Sequence, residues 1–169
     1  MKLGDGIEQA IHCVLMLSAL RPEGALPAAA LAAYHGVSTS YLLKHLRALS
    51  GAGILASVPG PAGGYRLAQP ANRISLLDIV LAVEGPEPAF RCAEIRLRGP
   101  NPIPGPPQAP CEINAAMLRA ERAYRTELGK VSIADIGATV AAHDNGGKVA
   151  ARRCAFLELH ERRPAARAV

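Results

Sequence analysis

The sequence predicts a mainly α-helical fold with a small β wing: a winged helix-turn-helix domain followed by a long helix. Three observations predict it. A short helix, Pro27 to Tyr34, runs through the tight turn His35-Gly36-Val37 into a second helix, Thr39 to Ser50, the helix, glycine turn, helix pattern. Two short strand-like runs on either side of a glycine loop follow at once. Beyond a proline-dense segment, Glu112 to about Leu128 carries a single apolar seam.

The elements follow in order. Gly6 to Leu20 reads as a deeply buried helix, apolar on nearly every side of its second half, with one polar stripe of Asp5, Glu8 and His12. Arg21-Pro22-Glu23-Gly24 ends it. Pro27 suits the first turn of the next helix. Ser38 is expected to cap the helix Thr39–Ser50, which Gly51 stops. Val37, Leu42, Leu43, Leu46 and Leu49 form the apolar face of this pair, which leaves Ser38, Thr39, Ser40, Tyr41, Lys44 and Arg47 free to meet DNA. Ile54–Val58 and Tyr65–Ala68 read as the two strands of the wing. Gly63 and Gly64 are expected to let the backbone approach the sugar-phosphate rails, and Arg66 to reach phosphate or the minor groove. Ser75 caps a helix over Leu76–Glu84, with Leu76, Ile79, Val80 and Val83 on one face.

The stretch 86–111 has little periodicity and many prolines. A long irregular loop of this kind is usually functional or disordered. It is bracketed by Cys92 and Cys111. The following helix aligns Ile113, Met117, Ala120, Tyr124 and Leu128 at three- and four-residue steps, a seam suited to packing on a partner helix. Ser132 caps a further helix to about Ala142. The organisation expected is therefore a winged helix-turn-helix domain over 1–85, a loop over 86–111, a dimerisation helix and its successor over 112–142, and a partly helical, frayed tail over 143–169.

Composition narrows the class. The chain has 169 residues, 50% apolar and 20% charged, with no tryptophan and a net charge of +5. That is an ordinary globular balance with a core of Ala, Leu, Ile and Val, and a basic surplus compatible with a polyanion. Ala10–Leu20 and Ala28-Ala29-Ala30 imitate a signal peptide, but Asp5 and Glu8 outweigh Lys2 and His12 interrupts the run. With no stretch long enough to span a membrane, the expected location is the cytoplasm, where four cysteines read as free, metal-bound or redox-active.

Several motifs together resemble a known family. Tyr41-Leu42-Leu43-Lys44-His45-Leu46, Gly63-Gly64-Tyr65-Arg66-Leu67-Ala68, Ile74-Ser75-Leu76-Leu77-Asp78-Ile79-Val80 and Val83-Glu84-Gly85 are similar to the Rrf-type winged-helix transcription regulators. The resemblance runs from Met1 to about Ile136. It implies a homodimer joined by the long helix, on a pseudo-palindromic double-stranded DNA operator read by helix 39–50 in the major groove and by the wing in the minor groove. Many members hold an iron–sulfur cluster with three cysteines in the loop, whereas only Cys92 and Cys111 stand there in this chain. A closer resemblance is to the RsrR type of redox regulator, through Met1-Lys2-Leu3, Glu8, His12-Cys13, Gly85-Pro86, Pro88-Ala89-Phe90, Cys92, Glu94-Ile95-Arg96, Arg98-Gly99-Pro100 and Cys111. That resemblance implies a [2Fe–2S] cluster held by Cys92 and Cys111 of one subunit and by Glu8 and His12 of the other, and a sensor of redox state or nitric oxide.

The implied ligand set is chemically coherent. Glu8 and His12 are four apart and share a helix face. Imidazole in place of thiolate on one iron raises the reduction potential. Cys13 lies about 100° round the helix from His12 and reads as core, and Cys154 as a free thiol outside the family region. Without the resemblance, Glu8 and His12 are a solvated stripe, and the wide spacing of the two loop cysteines is no metal signature. A rival reading keeps the DNA-binding dimer and replaces the cluster with a thiol–disulfide switch or a small effector bound by the loop. A metal-dependent enzyme finds no nucleophile-plus-base pair or phosphate loop to support it. A winged helix that has lost DNA binding is disfavoured by Lys44, Arg47 and Arg66.

Overall fold

A central apolar helix, α1 (Asp5–Leu17), organises the molecule. The computed structural model describes residues 3–61 and 63–163 and has, among these, seven α-helices and one two-stranded sheet. Ile7, Ala10, Cys13, Val14, Met16 and Leu17 of α1 are buried, while Asp5, Glu8 and His12 form the exposed stripe expected of them. At its start the Gly4 N–H donates to Glu84 Oε1 at 3.0 Å.

Helices α2 (Ala28–His35) and α3 (Thr39–Gly51) turn through Gly36, which is left-handed at φ 67°. Leu42, Leu46 and Leu49 of α3 are fully buried against α1 and α2. The wing strands β1 (Leu55–Val58) and β2 (Gly64–Leu67) pair antiparallel, from Leu55 opposite Leu67 to Val58 opposite Gly64. Tyr65 also exchanges backbone hydrogen bonds with Leu26, at 3.0 and 2.8 Å. Helix α4 (Leu76–Glu84) begins in a capping box of Ser75 and Asp78 and buries Ile79.

The loop after α4 contains a single 3-10 turn, Ile95–Leu97, and leads into α5 (Glu112–Gly129). Helix α6 (Ile133–His143) repeats the capping box with Ser132 and Asp135, and Ser132 pairs with Ser75. Fully buried Ile74, Ile79 and Ile133 join α4 and α6 to the core under α1.

The tail, expected to be partly helical and frayed, holds a 13-residue helix, α7 (Lys148–His160). Asp144 accepts from the Val149 and Ala150 N–H groups at 2.9 and 2.8 Å, so it acts as the start signal. Phe156 meets Tyr34 with ring centroids 4.7 Å apart, and Leu157 is buried. Arg162 then pairs with Ala25 through two backbone hydrogen bonds of 2.9 Å. Met1 and Lys2 of the family motif, and the last six residues of the expected tail, lie outside the described residues. No helix among those described is long and apolar enough to cross a membrane.

Candidate functional site

Opposite its buried leucines, α3 presents Ser40, Tyr41, Lys44 and Arg47 to solvent, with Ser38 and Thr39 at its start. Ser38 occupies the cap position but does not cap: its hydroxyl meets the Ser40 hydroxyl at 3.0 Å and bonds no backbone N–H. The first-turn N–H groups of α3 are therefore without a side-chain cap, as suits an approaching anion. Tyr41 rests edge-on against His45 at 4.8 Å. His45 belongs to a family motif, yet the sequence alone gives it no role. The ring is 5% exposed and lies over Gly6, where an added Cβ would stand 2.3 Å from its Cε1. Burial, helped by Lys44 and opposed by Glu84, holds its pKa below the usual histidine value. A neutral imidazole thus joins the first helix to the reading helix.

The wing departs from expectation in two respects. Gly63 is buried, and a Cβ there would lie 2.3 Å from the Val58 carbonyl oxygen; at Gly64 it would lie 2.4 Å from the Leu26 carbonyl oxygen. Both glycines are required by the chain's own close packing. The open glycine is Gly60, with φ 92° and nothing within 4 Å of where a Cβ would stand. Arg66 is not free: its guanidinium is paired with Glu23.

Cys92 and Cys111, far apart in sequence, lie close enough for the Cys92 side chain to act on the Cys111 thiol, and Arg96 acts on both. The loop that carries them is fastened at one end to α5, where Arg125 donates to the carbonyls of Pro86 and Glu87 at 2.9 and 3.0 Å and Glu121 accepts from the Ala89 N–H at 3.0 Å. Arg96 clasps the other end: it pairs with Glu94 and donates to the Ala109 carbonyl at 3.3 Å. Cys111 stands at the N-cap of α5. The Asn114 N–H above all, then the Ile113 N–H, the Cys92 side chain and Arg96, lower its pKa against the opposing effect of desolvation. Such a setting favours thiolate. Cys13, by contrast, is fully buried in the core, and burial pushes its thiol up to about 12.

Glu8 and His12 are exposed on α1 and line a shallow hollow with Leu3, Ile7 and Ile11. Among the described residues no three metal-capable side chains converge. On α5, Ile113 is 66% and Met117 43% exposed. Ala120 is exposed too, while Tyr124 and Leu128 are half-buried. No residue of that helix is buried within the single chain.

Residues 3–139 match the Rrf2 family, described as iron-dependent transcriptional regulators. The chain belongs to the Rrf2 family. It is a DNA-binding transcriptional regulator of winged-helix fold. Among its relatives, a protein of Lactococcus lactis carrying the name putative HTH-type transcriptional regulator YffB is 32% identical over 136 residues, 80% of this chain and 86% of that one. The HTH-type transcriptional regulator IscR of Photobacterium profundum is 35% identical over 92 residues, 54% of this chain and 54% of its own length. The chain thus matches about half the length of that relative. Two solved structures share the fold: CymR, the global cysteine regulator of B. subtilis (TM-score 0.64, 20% identity, 82% of this chain and 98% of that one), and T. potens IscR (TM-score 0.64, 19% identity, 89% and 96%). Within this Rrf2 chain, α7 lies beyond the family match.

Proposed function

We propose that this Rrf2 regulator binds a pseudo-palindromic operator as a homodimer and senses redox state or nitric oxide through a [2Fe–2S] cluster. Cys92 and Cys111 of one subunit and Glu8 and His12 of the other would hold it. The observation that carries this reading is the placement of Cys111 at the start of α5, at the end of a loop that also carries Cys92 and is braced by Arg96 and Arg125. The donor chemistry fits: two thiols in an electropositive corner, and a carboxylate and an imidazole open to a partner on a separate helix face.

Bound there, the cluster would supply one-electron chemistry at a potential raised by its histidine ligand. The chain's own residues do the rest. Arg96 keeps positive charge beside the thiolates and closes the loop over them. Glu8 and His12 would supply a carboxylate and an imidazole, harder ligands than the two thiolates. Helix α1 carries them and rests on His45 of α3, so a shift of α1 is felt at the reading helix. For DNA, Ser38, Thr39, Ser40, Tyr41, Lys44 and Arg47 are assigned to the major groove. The wing, with Gly63 and Gly64 shaping it and Arg66 released from Glu23, is assigned to the minor groove. Two heads related by a dyad must meet half-sites roughly 34–36 Å apart.

Protein purified without oxygen should be coloured and contain about two iron and two sulfide per chain. Glu8→Ala with His12→Ala should lose the iron and keep the dimer, while Cys13→Ala should keep both. A colourless, iron-free dimer would move the reading to a thiol switch, which the same nearness of Cys92 and Cys111 favours. Two thiols would then form a disulfide, with two electrons and two protons passing to a peroxide or disulfide oxidant.

DNA binding should weaken steeply with salt. Replacing Lys44 and Arg47 by Ala should make the slope of log K against log salt shallower by about 0.9 for each phosphate that is no longer neutralised. An unchanged slope in fluorescence anisotropy would remove these two residues from the interface.

A further inference from the structure

We propose that the cleft between α1, α2, α6 and α7 binds a small organic carboxylate with an apolar body. The cleft has a volume of about 400 Å³, within the range of roughly 300–1,000 Å³ usual for small-ligand sites. Its floor is apolar, formed by Leu15, Met16 and Val140. It is also lined by Arg152 and Arg153 of α7 and by His12 of α1, the residue assigned above to the cluster.

The polar groups of the cleft are incompletely used. His35 Nε2 and Arg153 Nε are buried and have no hydrogen-bond partner among the described residues. Orphaned buried polar atoms of this kind call for an occupant. Arg152 lies over the Tyr34 ring at 5.0 Å. Among the described residues neither arginine has a carboxylate within ion-pair distance. Asp144 acts on Arg153 electrostatically but gives its oxygens to the start of α7. Guanidinium groups match a planar carboxylate in charge and in the direction of their N–H bonds. The apolar floor asks for hydrocarbon beyond that carboxylate, which a bare phosphate lacks.

The site is independent of the cysteine pair, and two of its four walls belong to the first helix and to the first helix of the reading head. An occupant would therefore join α7 to the DNA-binding domain. The helix that supplies both arginines, α7, lies beyond the family match.

The test is calorimetric titration of the full chain with benzoate, hexanoate and succinate, alongside benzamide and inorganic phosphate. Saturable binding of benzoate or hexanoate at one per chain is expected, with no binding of benzamide or phosphate. Arg152→Gln and Arg153→Gln should each weaken binding at least tenfold while melting near the parent temperature. Should either arginine variant fail to fold, Val140→Phe obstructs the floor without touching charge and should abolish binding. Cys92→Ser should remove the cluster and leave carboxylate binding intact, because neither loop cysteine lines the cleft. The proposal is overturned if none of the three carboxylates binds saturably, if benzamide or phosphate binds as well as benzoate, or if the folded arginine variants bind as tightly as the parent.

Discussion

Met117→Glu should turn the protein into a monomer and weaken operator binding by roughly 10²- to 10⁴-fold, the avidity that linking two binding heads supplies. In the isolated chain Met117 is 43% exposed beside Ile113 at 66%, and α5 buries none of its residues. An apolar stripe along an 18-residue helix is stable in water only when another apolar surface covers it. At a two-fold interface the same residue enters twice, so one substitution places two carboxylates in the seam, each stripped of water without a partner. Light scattering after size exclusion should report the monomer mass, and anisotropy on a full operator the reduced affinity. A dimer that persists with full affinity would show that α5 is not the joint. Loss of affinity without loss of mass would place α5 in DNA binding instead.

Gly64→Ala should destabilise the fold by about 2–4 kcal/mol, the upper part of the range for single substitutions. The new methyl would stand 2.4 Å from the Leu26 carbonyl carbon and oxygen and 2.8 Å from the Pro27 nitrogen. All three are backbone atoms, so no rotamer change relieves the clash, and the Leu26–Tyr65 pairing must open. Gly60→Ala offers the contrast. It has open space around it but φ 92°, so only conformational strain of about 1 kcal/mol applies. Urea unfolding of the two variants should rank them in that order. Equal midpoints would mean that the wing yields freely and that Gly64 is not held against Leu26.

Local chemistry is legible in this sequence and tertiary partnership is not. The two Ser-x-x-Asp capping boxes, the leucine face of α3 and the Gly36 turn are written in neighbouring residues, and each forms as expected. The leading part of α7 is local as well, but its signal is a lone Asp144 ahead of two glycines in an arginine- and alanine-rich stretch, and its anchor, Phe156 on Tyr34, is a long-range packing. Ser38 reads as a cap because serine caps helices; its neighbour Ser40 competes for the hydroxyl. Gly63 and Gly64 stand out in the sequence as sites of close approach, but the backbone that approaches them is the chain's own, brought from Val58 and Leu26 by the fold. Arg66 reads as free because Glu23 belongs to another part of the chain. Nothing in the spacing of Cys92 and Cys111 announces that the loop brings them near each other and Arg96. Their approach depends on Arg96 and Arg125 folding the loop, and each of those arginines reaches backbone carbonyls, which carry no sequence signature.

The pairing of Arg162 with Ala25 has a consequence for the order in which the protein can be made. Ala25 and Leu26 are consecutive, one bonded to the end of the chain and the next to the wing strand. The Arg162 guanidinium also donates to the Pro61 carbonyl at the wing tip, at 2.6 Å. During synthesis the β1–β2 hairpin can close early, as local pairings do, and Tyr65 can pair with Leu26 at once, but Ala25 and the Pro61 carbonyl wait for Arg162, beyond α7, to leave the ribosome. A nascent chain stalled before residue 162 would therefore hold a closed hairpin while the Ala25 backbone groups and the Pro61 carbonyl still bond water. The brace from Arg162 to the wing tip is thus the last contact of the DNA-reading wing to form.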